Sequence, residues 1–183
     1  MNSRTILVGL TVALLWAASL PVSAQKGARI MSFKLSSTAF VPGGMIPKQF
    51  SCEGTDLSPA LEWSGAPENT RSFSLIADDP DAPVGTWVHW VLYDLPADAK
   101  QLAEGVPKDE LLSNGAHQGK NDFRRIGYGG PCPPPGPAHR YFFKMYALDA
   151  KLNLKAGGSK ADLEKAMSGR VLAQATLMGR YQR

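Results

Sequence analysis

The chain has 183 residues, of which 44% are hydrophobic and 20% are charged, with 20 lysines and arginines against 16 aspartates and glutamates. After removal of the N-terminal signal peptide that is predicted below, the remaining length suits one ordinary domain that buries its own core. Because the basic residues are scattered rather than clustered, the formal net charge of +4 does not indicate a nucleic-acid-binding protein or one attached to anionic membranes.

Residues 1–24 are predicted to be a secretory signal peptide. Arg4 supplies a positive charge, residues 6–18 form an uncharged apolar run, and Val22-Ser23-Ala24 fits a small-residue cleavage site. The apolar run is shorter than the roughly 20 residues of a membrane-spanning helix; an uncleaved anchor is the alternative. We therefore expect a single soluble domain over residues 25–183, periplasmic or secreted, with no stable membrane insertion.

Short β-type segments dominate that domain, so the predicted fold class is mostly β with minor α. Apolar, β-branched and aromatic residues predict strands over residues 33–40, 72–77, 87–95, 140–148 and 171–177. Between the third and fourth of these lies a long segment, residues 96–139, in which only a turn over 109–112 is indicated. Long connections inside compact domains are usually functional or disordered, and its aromatic residues favour an ordered functional loop.

One short helix is predicted near the C-terminus. Ser159 and Asp162 resemble a capping box, and Leu163, Ala166 and Met167 form an apolar stripe at helical spacing. Gly169 follows as the C-terminal cap.

Two cysteines, Cys52 and Cys132, lie in loop sequence rich in glycine and proline. An even count in an exported protein favours a disulfide, the alternative being two unrelated buried thiols. No Cys-x-x-Cys pattern is present, so a structural zinc site is not expected.

Three segments carry candidate chemistry. Asp79-Pro80-Asp81-Ala82-Pro83 holds two carboxylates on a turn stiffened by two prolines. In Trp87-Val88-His89-Trp90, strand alternation places Trp87 and His89 on one face, and Val88 and Trp90 on the other. The segment from Gly127 to Tyr141 combines a glycine-rich stretch, whose amides can face an anion, with His139 and Tyr141 on one face of a strand.

Each segment also has a structural explanation: ordinary turn chemistry, a core histidine, and a polyproline connector, respectively. Together, however, they assemble two aspartates, two of the three histidines, a tyrosine and a tryptophan. Histidine donates to phosphate or carboxylate oxygens, while aspartate fixes its tautomer or meets a ligand ammonium. The sequence pattern alone does not show that these residues converge.

The same segments resemble the phosphatidylethanolamine-binding protein family, specifically its bacterial branch of Raf kinase inhibitor-like proteins. The matching stretches follow in family order along nearly all of the chain after the leader: CEGTDLSPALEWSGAP, DDPDAPVGTWVHWVLYDLP, NDFRRIGYGGPCPPPGPAHRYFFKMYALD and LEKAMSGRVLAQATLMGRY.

This resemblance implies a large antiparallel sheet packed on a smaller one, a helix near the C-terminus, and a shallow pocket that accepts phosphate, phosphorylated head groups or acetate-like anions. The implied pocket residues are Asp79, Trp87, His89, Gly130, Pro131, His139 and Tyr141, with Asp81 and Pro83 in the same wall. A cis peptide bond is expected at Ala82-Pro83. The two cysteine loops are expected to meet.

Two departures from the family pattern bear on the pocket. Arg124 and Arg125 follow Asn-Asp-Phe, where many bacterial relatives have glycine, so their charges are expected near the loop. The sequence also ends soon after its last strand, which implies a more open pocket than in animal members with their C-terminal helix.

Three functions are weighed. Binding of a small phosphate-like or carboxylate anion, including a phospholipid head group, fits the residue set best. Inhibition of a secreted or host protein is the alternative. A phosphoester hydrolase using His89 or His139 is less favoured, because no Gly-x-Ser-x-Gly nucleophile motif is present. No cofactor, metal or nucleic acid is expected, and a homodimer is left open.

Overall fold

The computed structural model describes residues 32–183, and the proposed signal peptide and the domain boundary at residue 25 lie outside them. The described residues belong to one compact unit. Its elements are, in chain order, β1 (Lys34–Ser36), a short 3-10 helix (Lys48–Phe50), β2 (Leu61–Ser64), β3 (Ser72–Asp79), β4 (Trp87–Pro96), β5 (Gln101–Leu102), β6 (His117–Gln118), β7 (His139–Leu148), α1 (Lys160–Met167) and β8 (Val171–Tyr181).

Two antiparallel sheets form the fold. The larger sheet has the strand order β6-β4-β3-β7-β8, and the smaller one has the order β1-β2-β5. This arrangement confirms the mostly β class, with a large sheet packed on a smaller one and one short helix near the C-terminus.

The predicted strands are confirmed with shifted ends. The strands β3 and β4 coincide with their predictions to within two residues, whereas the first predicted strand shrinks to Lys34–Ser36. Three short strands were missed: β2, β5 and β6. In the described chain the long segment after β4 contains both two-residue strands, β5 and β6.

The central strand β3 is buried on both faces along its whole length. Phe73 and Leu75 contribute to the core between the two sheets, while Ile76 points to a second apolar cluster that includes Leu163 and Met167 of α1. Because β3 lies between β4 and β7 and pairs with both, its position determines where both flanking strands lie.

The helix α1 has the predicted cap. The Ser159 hydroxyl accepts from the Asp162 amide at 3.2 Å, and the Asp162 carboxylate accepts from the Ser159 amide at 2.9 Å. Gly169 follows the helix with a φ of +74°, which a glycine adopts without steric cost. Within residues 32–183, no helix has the length and apolar character required to cross a bilayer.

The predicted disulfide is confirmed. Cys52 and Cys132 are bonded across a sequence separation of 80 residues, with their Cα atoms 5.4 Å apart. The Cys52 amide also donates to the Pro131 carbonyl at 3.1 Å. The bridge thus ties the loop before β2 to the proline-rich segment before β7.

The contact of α1 with the sheet can be tested through Met167, which is 4% exposed. Met167→Ala is expected to lower the free energy of unfolding by about 2–4 kcal/mol, because it leaves a cavity under the helix. Lys165→Ala in the same turn, where the side chain is exposed, is the control and should change it by less than about 0.5 kcal/mol. Urea denaturation measures both; equal effects would show that the apolar stripe does not pack on the sheet.

Candidate functional site

A pocket of about 210 Å³ lies where the ends of three strands meet. Asp79 ends β3, Trp87 begins β4 and His139 begins β7, so antiparallel pairing brings these positions to the same end of the large sheet. The pocket is lined by Asp79, Ala82, Pro83, Val84, Trp87, His89, Phe123, Cys132, Pro133, Pro134, His139 and Tyr141.

An irregularity in the pairing of β3 with β4 directs His89 into the pocket. Ala77 pairs with Trp90 and the next residue, Asp78, pairs with Val88, so His89 is an extra residue without a partner on β3. Such a bulge breaks the strict alternation of side chains. Trp87 and His89 share a face as predicted, but the prediction that Trp90 shares the face of Val88 is wrong: Trp90 joins the core between the sheets and Val88 the cluster under α1.

The long segment after β4 forms hydrogen bonds with the bulged part of β4. The Gly129 amide donates to the His89 carbonyl at 2.9 Å, and the Asp122 amide donates to the Val88 carbonyl at 2.9 Å. The Asp122 carboxylate accepts the Val88 amide at 2.7 Å. The segment therefore bonds β4 much as a neighbouring strand would. These bonds hold its irregular backbone in place and so position its pocket residues.

Phe123 is a pocket residue that the sequence analysis did not place in the site. Its ring packs edge-on against Trp87 and against His89, with ring centroids 5.4 Å apart in both pairs. His89 also meets Tyr141 edge-on at 5.1 Å. Phe123 directly follows Asn121, whose side chain bonds the nearby backbone, and Asp122, whose carboxylate accepts the Val88 amide of β4; these two polar neighbours are the sequence signal for its position.

The tautomer of His89 is fixed by the backbone. Its Nδ1 lies 2.6 Å from the Gly129 carbonyl oxygen, which accepts only, so Nδ1 carries a hydrogen. Burial lowers the pKa of His89 below its ordinary value, although the Gly129 carbonyl and the Asp79 charge act in the opposite direction. The neutral ring consequently presents the lone pair of Nε2, which has no hydrogen-bond partner among the described residues.

His139 is held by Asp79. Nδ1 of His139 lies 2.8 Å from Oδ2 of Asp79, and both side chains are buried. The other carboxylate oxygen of Asp79 accepts the Asp81 amide at 2.8 Å. This pair orients the His139 ring so that its Nε2 is also left without a partner in the described part of the chain.

Two buried donors at the pocket have no partner among residues 32–183: the Tyr141 hydroxyl and the indole N–H of Trp87. Burial, followed by the nearby Asp79 charge, raises the pKa of Tyr141 well above its ordinary value, so the hydroxyl keeps its proton. An unsatisfied buried donor is costly, and a polar ligand is one way to satisfy it.

Asp81 does not line the pocket, contrary to the expectation that it belongs to the ligand wall with Pro83, which does. Both Asp81 carboxylate oxygens bond the Arg140 guanidinium, at 2.7 and 2.9 Å, and one also accepts the Arg140 amide at 2.9 Å. The hydrogen bonds from Arg140 lower the pKa of Asp81 to about 2. Asp81 thus attaches the proline-rich turn to the start of β7.

The prediction of a cis peptide bond at Ala82-Pro83 is wrong, since the described residues contain no cis peptide. The turn is instead closed by the Gly85 amide, which donates to the Ala82 carbonyl at 3.0 Å, with Gly85 at a φ of +97°.

Gly130 and Pro131 also lie outside the pocket lining. The Gly130 amide, expected to face an anion, donates to Oδ1 of Asp56 at 2.6 Å. A side chain at Gly130 would collide with the backbone carbonyl of Phe50. Gly130 therefore allows the close approach of its loop to the backbone of Phe50.

Arg124 and Arg125 are near the pocket without lining it. Arg124 has a φ of +62°, a conformation in which glycine is favoured. The Arg125 guanidinium lies 5.3 Å from the ring centroid of Phe123, on which it makes a cation–π contact. Within residues 32–183, no group of three His, Cys, Asp or Glu side chains is placed to hold a metal ion.

The sequence is similar to one protein-family model and to individual proteins of bacteria. A family model described as phosphatidylethanolamine-binding protein matches residues 36–182. A UPF0098 protein of Aquifex aeolicus is 48% identical over 169 residues, covering 86% of this chain and 98% of the relative. A UPF0098 protein of Chlamydia trachomatis is 42% identical over 155 residues, covering 82% of this chain and 99% of the relative.

Two solved structures share the fold. CT736 of Chlamydia trachomatis, described as a phosphatidylethanolamine-binding protein homolog, has a TM-score of 0.76 and 41% identity, covering 84% of this chain and 99% of its own. Escherichia coli YbcL is described as a new member of the mammalian phosphatidylethanolamine-binding protein family. It has a TM-score of 0.78 and 34% identity, covering 83% of this chain and 99% of its own.

The packing role of Gly130 can be tested without any ligand. Gly130→Ala is expected to lower the free energy of unfolding by about 1–3 kcal/mol, the usual effect of overpacking, because the new methyl group meets the Phe50 carbonyl. Urea denaturation of the ligand-free protein measures the loss. Unchanged stability would contradict the close packing of these two loops.

Proposed function

The chain belongs to the phosphatidylethanolamine-binding protein family, and we propose that it is an exported protein that binds a small ligand by its phosphate or carboxylate group. The site is the pocket between Asp79, His89, His139 and Tyr141. The single observation that carries this proposal is the orientation of the two histidines. Each has its Nδ1 occupied by a protein acceptor, so each offers Nε2 to a ligand.

The remaining polar groups support an oxygen-rich ligand. Tyr141 and Trp87 line the pocket and carry buried polar hydrogens, and donors to an anionic oxygen make the stronger class of hydrogen bond. Most of the other lining residues are apolar, including Pro83, Phe123 and Pro133. A few convergent polar groups in an apolar pocket are typical of small-molecule sites.

The pocket volume of about 210 Å³ is several times the roughly 30 Å³ that one water occupies in the liquid. This size supports a compact anionic group with a small substituent. A phospholipid head group and a free phosphorylated metabolite share that chemistry.

Export is supported by two independent features. Residues 1–24 have the composition of a secretory signal, and the Cys52–Cys132 bond belongs to the class of disulfides that persist in oxidising compartments. We therefore propose a periplasmic or secreted location.

The role of His89 is tested best by His89→Asn. The asparagine amide can still donate to the Gly129 carbonyl, whereas Nε2 is lost. Binding of inorganic phosphate, measured by calorimetric titration, is expected to weaken by about 1.5–3 kcal/mol, the range for hydrogen bonds to charged groups. His117→Asn is the matched control, because His117 lies outside the pocket lining, and it should leave binding unchanged. Equal affinity of a folded His89→Asn variant and the wild type would place the site elsewhere.

Anion affinity is expected to increase as pH falls. Burial lowers the pKa of His89 in the ligand-free protein below 6.5, whereas a bound anion raises it. Affinity linked to this proton is therefore complete below the ligand-free pKa and is lost as pH rises through the pKa of the complex. Sulfate is the probe, because it does not titrate in this range. Its affinity should rise by up to about tenfold per pH unit between pH 8 and pH 6, and the slope should become shallower in His89→Asn. A flat profile would contradict the role of an imidazolium.

A further inference from the structure

The Cys52–Cys132 disulfide belongs to the wall of the pocket rather than to the core. Cys132 lines the pocket together with the two residues that follow it, Pro133 and Pro134. Of the two bonded residues, Cys52 is exposed and Cys132 is half-buried. Exposed disulfides are the class that exchanges readily with thiols and that serves regulation, because the attacking thiolate can reach them.

The wall segment, residues 132–138, has few attachments besides this bond. Four of its seven residues are prolines, which have no backbone N–H group. Within residues 32–183, none of the three remaining N–H groups, those of Cys132, Gly136 and Ala138, donates a hydrogen bond. The Gly136 carbonyl accepts Nε2 of Gln182 at 2.9 Å on the surface. The disulfide is therefore the main attachment of the wall segment.

The chain on either side of the wall segment is held independently of the disulfide. The Gly130 amide donates to Oδ1 of Asp56 at 2.6 Å, and the Pro131 carbonyl accepts the Cys52 amide at 3.1 Å. After the wall segment, pairing of β7 with β8 begins at His139. Loss of the disulfide consequently releases the wall segment between two anchored points, while both sheets keep their hydrogen bonds.

We propose that the Cys52–Cys132 disulfide is a redox switch that controls access to the pocket. A dithiol reductant opens the wall segment, and reoxidation of the two cysteines closes it. In the exchange, the dithiol gives up two electrons and two protons and becomes a disulfide, while the protein disulfide takes them up and becomes two thiols. This role goes beyond the proposed function, since it concerns access to His89 and His139 whichever ligand the pocket takes.

The histidines make the opening measurable without a ligand. His89 is 4% exposed and His139 is 9% exposed, and each has its Nδ1 bonded to the protein, so a reagent can modify only Nε2. The third histidine of the chain, His117, is half-buried and lies outside the pocket lining. Modification of a shielded side chain proceeds through open conformations, so its rate reports how often they form.

The test measures carbethoxylation of the three histidines by diethyl pyrocarbonate, with the modified sites identified by peptide mass spectrometry. The purified protein is reduced with dithiothreitol at pH 8, freed of reductant without air, and labelled at pH 6.5 beside the oxidised protein. The bond should be reduced without denaturant. The labelling rates of His89 and His139 should then rise by about fivefold or more, and that of His117 by less than about twofold. Reoxidation with oxidised glutathione should restore the slow rates.

The matched variant carries Cys52→Ser and Cys132→Ser, which removes the bond without a reductant. It should show the fast rates of the pocket histidines both with and without dithiothreitol treatment. The switch is wrong if the native bond resists dithiothreitol until denaturant is added, or if His89 and His139 react equally fast in the oxidised and reduced protein. Equal acceleration of all three histidines would also overturn it, because the bond would then stabilise the whole fold rather than the wall segment. None of these outcomes depends on anion binding, so they are distinguishable from a failure of the proposed function.

Discussion

The pocket depends on one extra residue in the ladder between β3 and β4. Regular pairing alternates side chains between the two faces of a sheet, so His89 and Trp90 would point in opposite directions. The bulge at His89 places both on the face of the smaller sheet, where Trp90 fills the core and His89 borders the pocket. The backbone carbonyl of His89 accepts the Gly129 amide, and the Gly129 carbonyl in turn orients the imidazole.

The acidic residues around the pocket mostly organise the backbone. Asp81 bonds Arg140, Asp122 accepts the Val88 amide, and Asp56 accepts the Gly130 amide. Only Asp79 lines the pocket, and its two oxygens are occupied by His139 and the Asp81 amide. The acidic side chains at this end of the sheet therefore mainly fix the local backbone and the orientation of His139.

Much of the fold was accessible from the sequence because its signals are local. The capping box of Ser159 and Asp162 and the apolar run of β3 each depend on neighbouring residues, and both are confirmed. The strands β5 and β6 have two residues each, which is too short for a periodic pattern. Their existence depends on partners that are distant in sequence.

The site was predicted less completely than the fold, for the same reason. Membership of a motif does not tell where a side chain points. Asp81 and Gly130 stand in the family segments, yet they bond Arg140 and Asp56 rather than lining the pocket. Strand alternation likewise could not reveal the bulge that moves Trp90. Phe123 reaches the site through a long connection whose course is set by pairing with β4.

The pocket walls come from segments that lie far apart along the chain, from Asp79 to Tyr141, and no single stretch contains both histidines. An unfolded chain therefore has no partial version of the site, and a ligand distinguishes the native state from all others. By mass action, a ligand present at 100 times its dissociation constant adds about 2.7 kcal/mol to native stability. Under the proposed function, occupancy of the pocket therefore increases the resistance of the whole domain to unfolding and to proteolysis.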